Sequence, residues 1–250
     1  VSVTATDLGI TGLTLVDEAA GDSVTISVPG KKLIVPSTGH TNDYFTIEQF
    51  FEMGATDVSE RAEDCKFSTM SVNIGPDAMA TIEFGILGRD VKTASAAYFV
   101  APTAPTTTQI HSGASGTLLK NGVAVGIVTG MQFTSDGGMD TGAVVGANKS
   151  PDVFVGRVRV TGQFTAYFED SSLWQAWSDE DELSLIFRLD SADGEETIVF
   201  KFPRIKLGGA EKDDPETGGI VQTIPFTALK YVGTGPYENT TLVICDSEVV

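Results

Sequence analysis

The sequence predicts a mainly β protein of two tandem β-sandwich or half-barrel domains, at residues 1–105 and 106–250, each with a short helix. First, apolar and polar residues alternate in many short runs that are bounded by Gly, Pro and Asp, which is typical of strands and turns. Second, a pair of strand patterns occurs twice. Third, the segment APTAPTTT at 101–108 has no residue able to anchor a core and is typical of a linker.

The repeated pattern consists of two blocks in each half of the chain. KFSTMSVNIG begins at Lys66 and KFPRIKLGG at Lys201, 135 residues later. TIEFGIL begins at Thr81 and TIPFTAL at Thr223, and four of their seven positions are identical. Self-similarity at such a spacing indicates tandem copies of one folding unit.

The first half is predicted to contain strands and turns. YFTIEQFF at 44–51 fits either a strand or a short helix, although its alternation favours a strand. The turn residues Gly75, Pro76 and Asp77 separate two strands that form a hairpin. The strands are predicted at residues 23–28, 31–36, 65–74 and 78–87.

The second half combines strands with one helix and one long loop. The Gly-rich segment 135–151 has few groups to bury, and a loop of this length is often functional. The segment SSLWQAWSDEDE predicts a helix with Ser171 or Ser172 as N-cap. The strands are predicted at residues 122–133, 153–168, 183–189, 197–202, 223–232 and 241–245.

Acidic residues outnumber basic ones. Sixteen Lys and Arg stand against 34 Asp and Glu, which gives a formal net charge of −18. Proteins that bind nucleic acid tightly contact its phosphates with Lys and Arg side chains. Because this chain is strongly acidic, tight DNA binding is not expected. No apolar run approaches the roughly 20 residues that span a bilayer, and the first residues lack the pattern of a secretion signal. We therefore expect folding in a cytoplasm and no membrane partner.

The residues that usually carry chemistry are few and scattered. His40 and His111 have no neighbours suited to metal binding or to activating a nucleophile. Cys65 and Cys245 are far apart and fit reduced thiols better than a disulfide. The acidic run 179–182 is typical of a solvated face. The sequence therefore predicts no enzyme, no metal site and no cofactor.

The order of elements in the second half resembles one family. GRVRVTGQFTAYFED at 156–170 is followed by the Trp-containing helix, then by ELSLIFRLD, TIVFKFPRIKLGG and TIPFTALKY. This order is similar to that of the major tail tube protein of long-tailed (siphophage-type) bacteriophages. The resemblance covers roughly residues 120–245. In residues 1–105 it is limited to the Cys-Lys-Phe and Thr-Ile-Glu-Phe blocks.

The resemblance implies a structural protein of the virion tail. Its sheets would join those of neighbouring copies into rings, and the rings would stack into a hollow tube through which genome DNA passes without tight binding. Implied partners are further copies of the chain, a tape measure protein, and tail terminator or baseplate proteins. If single-domain relatives form six-fold rings, a chain with two domains should close with three copies. The net charge suggests an acidic lining, whose repulsion would reach about 8 Å at physiological salt.

Two surfaces are candidates for contacts between copies. The Gly-rich segment is expected to act as an arm that reaches the adjacent ring, because it gains buried area only on assembly. Its candidate contact residues are Asp136, Asp140, Val144, Val145, Asn148 and Lys149. Trp174 and Trp177 lie three apart on one helix face and favour core or subunit packing. The alternative is a two-domain carbohydrate-binding module, which requires both indoles to be exposed and coplanar.

Overall fold

The computed structural model describes most of the chain from residue 44 onward. The described residues are 32–34, 44–54, 56–76, 78–104, 110–113, 116–124, 128–191, 196–213, 218–234 and 238–246. The strand predicted at 23–28, His40, and parts of the predicted linker and of the turn at 191–194 lie outside these residues.

Strands dominate the described residues, and one short helix accompanies them. The first half contains β1 (Lys32–Ile34), β2 (Phe45–Phe51), β3 (Val58–Ile74), β4 (Thr81–Leu87) and β5 (Asp90–Ala94). The middle of the chain contains β6 (Gly116–Lys120), β7 (Val123–Ala124), β8 (Val128–Asp136), β9 (Asp140–Thr141) and β10 (Val153–Phe154). The remainder contains β11 (Arg159–Tyr167), α1 (Ser172–Ser178), β12 (Glu182–Asp190), β13 (Thr197–Leu207), β14 (Glu211–Asp213), β15 (Val221–Ala228) and β16 (Val243–Asp246).

Fourteen of these strands form one curled sheet that is half of a barrel. Its main path runs β2, β3, β8, β11, β15, β13, β12, β6 and β7, and every pairing is antiparallel. The predicted mainly β half-barrel is therefore confirmed. Strand β3 pairs with β8, so the sheet is continuous across the proposed boundary at residue 105. The division into two tandem domains stays a prediction.

The longest strand, β3, forms an extended hairpin with β4 and β5. Residues 66–73 pair with β4 and residues 59–63 pair with β5 on the same side. Along its other edge, β3 pairs with β8 near the turn and with β2 near the open end of the hairpin. Asp64 stands between these two halves with φ +53°, a conformation that Asp tolerates better than most residues. The open half of the hairpin thus extends beyond the main sheet.

The core lies between the two layers into which the sheet folds. Phe133, Phe202 and Phe226 are almost wholly buried there. The Phe202 ring lies 5.0 Å from that of Phe133 and 5.2 Å from that of Phe226, in edge-to-face geometry. Gly162 leaves room for these rings, since a Cβ atom there would come within 2.7 Å of Phe133 and Phe226. Leu173 and Ala176 of α1 close the core from one side.

The structure decides two alternatives that the sequence left open and interrupts one predicted strand. The segment 44–51 is a strand, which settles the strand-or-helix alternative. The strand predicted over 153–168 is interrupted between β10 and β11, because Gly156 passes against the backbone of Gly138 too closely for any side chain. In helix α1, Ser171 occupies the N-cap position, yet its side chain makes no capping bond. The carboxylate of Asp170 instead accepts the amide hydrogen of Ser172 at 2.8 Å.

Candidate subunit interfaces

An apolar strip on the β3–β4 hairpin is exposed to solvent. The strip consists of Phe67, Ile82, Phe84 and Ile86, whose exposed fractions are 53%, 42%, 50% and 37%. These side chains share one face because β4 pairs Ile82 with Val72 and Ile86 with Phe67. Contiguous exposed apolar side chains of this kind mark protein-binding surfaces.

The strip is a direct extension of the core. Val72 is buried in the core, and Met70, which pairs with Phe84, packs against it. Farther along the hairpin, Phe67 stacks on Phe45 at 4.4 Å between ring centroids and contacts Phe84 at 5.2 Å. The apolar surface therefore continues outward from the core along the hairpin. No described element covers its outer part.

The backbone beside this strip also has an open side. Strand β4 pairs with β3 alone among the described strands, so the other edge of β4 has no strand partner within them. An open edge beside an apolar face can accept a strand or a sheet edge from another chain. Edge and strip together form the candidate lateral interface.

A group of charged residues fastens the end of the Gly-rich arm to the hairpin. This clasp consists of Tyr44, Asp64, Lys66, Arg89, Lys149 and Asp152. Lys149 forms an ion pair with Asp64 at 2.8 Å, and Arg89 donates to Asp64 at 3.2 Å. Arg89 also donates to the carbonyl oxygen of Ser150 at 3.0 Å, and the amide of Ser150 donates back to the Arg89 carbonyl.

The second half of the clasp is centred on a buried lysine. Lys66 is only 5% exposed, and its ammonium donates to the carbonyl oxygen of Val153 at 3.1 Å. The same ammonium lies 4.4 Å from the ring centroid of Tyr44 and 3.7 Å from Asp152. The Tyr44 hydroxyl donates to Asp152. These contacts give a buried charge the partners that it requires.

Both carboxylates of the clasp are held in their charged form. The Lys149 hydrogen bond to Asp64 lowers the pKa of that carboxyl, and the nearby charges of Lys149, Arg89 and Lys92 lower it further. The Tyr44 hydroxyl lowers the pKa of Asp152, helped by the amide of Val153 and by Lys66. Groups with depressed pKa values stabilise the folded contact above their unfolded pKa and lose that effect as the pH falls.

We predict that acid or a charge-removing substitution releases the arm. Asp64→Asn and Asp152→Asn together should speed amide exchange across residues 149–153 at pH 7. The parental chain should lose the same protection only as the pH falls below about 4, where aspartates protonate. Hydrogen–deuterium exchange, corrected for intrinsic rates, measures both. Asp140→Asn is the matched control, because within the part of the chain that the structure describes this arm carboxylate accepts only from the adjacent amide of Thr141. Unchanged exchange in the double variant would contradict the assignment.

The structure divides the six predicted arm residues into three groups. Asp136 and Asp140 accept hydrogen bonds from the nearby amides of Gly138 and Thr141, and so shape the turns at the start of the arm. Lys149 is held in the clasp. The remaining three, Val144, Val145 and Asn148, are exposed. The arm is thus fastened at its end and presents two apolar side chains to solvent near its middle.

The two tryptophans lie on the outside of α1. Trp174 and Trp177 are 43% and 39% exposed, while Leu173 and Ala176 provide the buried face of the helix. The indole planes are inclined by 65°, with centroids 6.3 Å apart. They are therefore not the coplanar pair that the carbohydrate-binding alternative requires, and no finding supports that alternative.

The predicted solvated acidic run beside this helix is partly paired. Glu182 accepts two hydrogen bonds from the guanidinium of Arg204, which lowers the pKa of the Glu182 carboxyl. Glu180 lies 3.2 Å from the ammonium of Lys206. A cleft of about 370 Å³ separates the helix end from β13 and is partly lined by Trp177 and Leu207. The segment that follows α1 is thereby held against β13.

Sequence patterns indicate neither the apolar strip nor the clasp. TIEFGIL has the alternation of any half-buried strand, and alternation cannot tell whether the apolar face is covered by the same chain. The clasp joins residues up to 108 positions apart, Tyr44 and Asp152, so only the fold brings them together.

The described residues contain no cluster of three or more His, Cys, Asp and Glu side chains that could hold a metal ion. Within the same residues, no helix has the length and apolar character needed to cross a membrane.

Comparisons with known proteins point to one family. The family model described as phage tail tube protein matches residues 3–228 of this chain. The hybrid solid-state NMR and cryo-EM structure of the SPP1 tail tube is similar over 73% of this chain and 78% of its own, at 8% identity and a TM-score of 0.30. That TM-score is too low to transfer any structural detail, so the assignment depends on the family match. No curated protein matches the sequence.

Proposed function

Because the chain belongs to the phage tail tube protein family and is a structural subunit of the tail, we propose that its copies join laterally into closed rings that stack into a hollow tube. Genome DNA passes from the capsid to the host cell through this tube. One observation carries the proposal. The apolar strip of Phe67, Ile82, Phe84 and Ile86 extends the core to an open sheet edge, and none of the described elements covers it.

The occupant of this interface is a second copy of the same chain. A tube is built from one repeated subunit, so each interface must be complementary to another surface of that subunit, and a contact that closes by rotation gives a ring. Lateral pairing also removes the open edge of β4, which is otherwise a hazard for uncontrolled association.

Electron microscopy of the purified protein tests the proposal directly. We expect rings or hollow filaments at neutral pH. A stable monomer at high concentration, with no higher assemblies, would contradict the proposed function.

Each ring is proposed to contain three chains. The repeated strand blocks support this count, because two similar units in each chain give a three-chain ring a pseudo-six-fold arrangement. Native mass spectrometry of isolated rings counts the chains, and we expect three. Six chains in each ring would overturn the count without affecting the proposed tube.

The arm is proposed to contact the adjacent ring. The exposed Val144 and Val145 support this role, since their apolar surface is uncovered while the clasp fixes the end of the arm. In the same scheme Trp174 and Trp177 pack against a neighbouring copy.

The remaining assignments concern the surroundings of the tube. We propose assembly in the host cytoplasm, a tape measure protein within the growing tube, and tail terminator or baseplate proteins at its ends. No part of this scheme requires an enzymatic activity, a cofactor or a membrane.

A further inference from the structure

One face of the sheet carries no charge over its centre. Strands β3, β8, β11 and β15 bury one face in the core, so alternate side chains point away from it. Over the centre of this face, the outward side chains are hydroxyls, amides and one proline. They are Thr69, Ser71, Asn73, Thr129, Gln132, Thr134, Thr161, Gln163, Thr165, Thr223, Pro225 and Thr227.

The strand register aligns these side chains into continuous rows. One row runs from Ser71 through Thr134 and Thr161 to Thr227. The hydroxyls of Ser71 and Thr134 are hydrogen bonded at 3.0 Å, and Thr129 donates to Thr165 at 2.9 Å. None of the twelve central positions is charged, and the charged outward residues of these strands, Asp136 and Arg159, lie at one end.

Among the described residues, the charges on this face lie at its margins. Glu83 lies on the edge strand β4, opposite Ser71. Asp136 and Arg159 pair with each other at one end of β8 and β11. On the opposite side, Lys206 pairs with Thr227 and Glu211 pairs with Thr223. The acidic excess of the chain therefore lies outside the central rows.

The same face is hollowed. A shallow groove of about 410 Å³ crosses β3, β8 and β11, and its polar lining is formed by Ser71, Asn73, Gln132, Thr134, Thr161 and Gln163. The apolar strip lies on the opposite, core-facing side of β4. A neighbour that covers the strip therefore continues the sheet and leaves the hollowed polar face open. When a curved sheet closes into a ring, its concave face turns toward the axis.

We infer that this hydroxyl and amide face lines the channel and that the lining is electrically neutral over its centre. The inference rests on the proposed function and replaces the acidic lining that net charge suggested. Hydroxyls and amides remain bonded to water and release no counterions from DNA, so they supply none of the electrostatic affinity that holds duplexes to proteins. They also lack the fixed negative charge that would oppose entry of the phosphate backbone. DNA in such a channel is neither held nor repelled.

Site-specific labelling of assembled tubes tests this placement. Thr161→Cys puts one thiol in the middle of the face, and the native Cys65 and Cys245 are buried, so the parental chain supplies a low background. Two maleimides are compared on tubes and on unassembled subunits. One carries a small dye that can enter the channel, and the other is coupled to a bead wider than the tube. Ser178→Cys, at an exposed position on α1, is the matched control.

We expect both reagents to label Thr161→Cys subunits, whereas only the small dye labels Thr161→Cys tubes. At position 161, labelling by the bead reagent should fall at least tenfold when subunits assemble into tubes. This fall should be larger than the fall at Ser178→Cys. Equal bead labelling of Thr161→Cys in tubes and in subunits would overturn the inference, because the face would then be on the outside. Loss of labelling by both reagents would also overturn it, because the face would be buried between copies. If the parental chain forms no tubes, the proposed function fails, and the inference fails with it.

Discussion

Replacing Phe84 with Asp is expected to abolish ring and tube formation while leaving the subunit folded. Phe84 is half exposed and lies in the middle of the apolar strip, so the isolated chain loses little packing. In the assembled state the new carboxylate would be buried without a partner, and such a charge disfavours association strongly. Sedimentation velocity measures the assembly, and circular dichroism checks the fold.

Two further variants make this prediction specific. Phe84→Thr keeps a residue that favours strands but removes most of the apolar area, and should weaken assembly less than Asp does. Val232→Asp introduces the same charge at another exposed apolar position outside the strip, and should assemble normally. Tubes formed by Phe84→Asp at parental concentrations would show that the strip is not the lateral interface.

Replacing Phe202 with Ala is expected to lower the free energy of unfolding by about 3–5 kcal/mol. The Phe202 side chain has no exposed surface and joins the rings of Phe133 and Phe226 at the centre of the core. Its truncation leaves a cavity that the surrounding strands cannot fill by small shifts. Urea unfolding of unassembled subunits measures the difference, and a loss below about 1 kcal/mol would contradict the described core.

The matched control for this variant is Phe67→Ala. Phe67 is half exposed and loses mainly its stacking contact with Phe45, which is worth about 1 kcal/mol. We expect Phe67→Ala to keep nearly the parental subunit stability but to assemble poorly, whereas Phe202→Ala should lose stability already in the unassembled subunit. The two phenylalanines therefore separate the stability of the subunit from the stability of the tube.

Sequence patterns predicted the positions of the strands better than they predicted what each strand packs against. The hairpin around Gly75 and Pro76 follows from turn chemistry and alternation, both of which are local properties of the chain. The break between β10 and β11 was missed because it depends on Gly156 lying against Gly138, a contact that alternation cannot indicate. Helix α1 was located correctly, but its tryptophans proved to be half exposed while Leu173 and Ala176 face the core.

The candidate interfaces were harder to predict, for a physical reason. A strand that packs on its own core and one that packs on a neighbouring chain have the same apolar alternation, so TIEFGIL gives no sign that Phe84 is uncovered. The arm was identified from its composition, yet the clasp that fixes it was not, because Asp64 and Lys149 meet only through the fold. Net charge suggested an acidic channel, but a sum over the chain does not show which face carries the charge.

A cryo-EM reconstruction of the assembled filament tests the central claim most directly. We predict a hollow tube in which Phe67, Ile82, Phe84 and Ile86 are buried between laterally adjacent copies and the row from Ser71 to Thr227 faces the axis. A filament in which the apolar strip stays exposed, or in which copies associate only through other surfaces, would contradict the account.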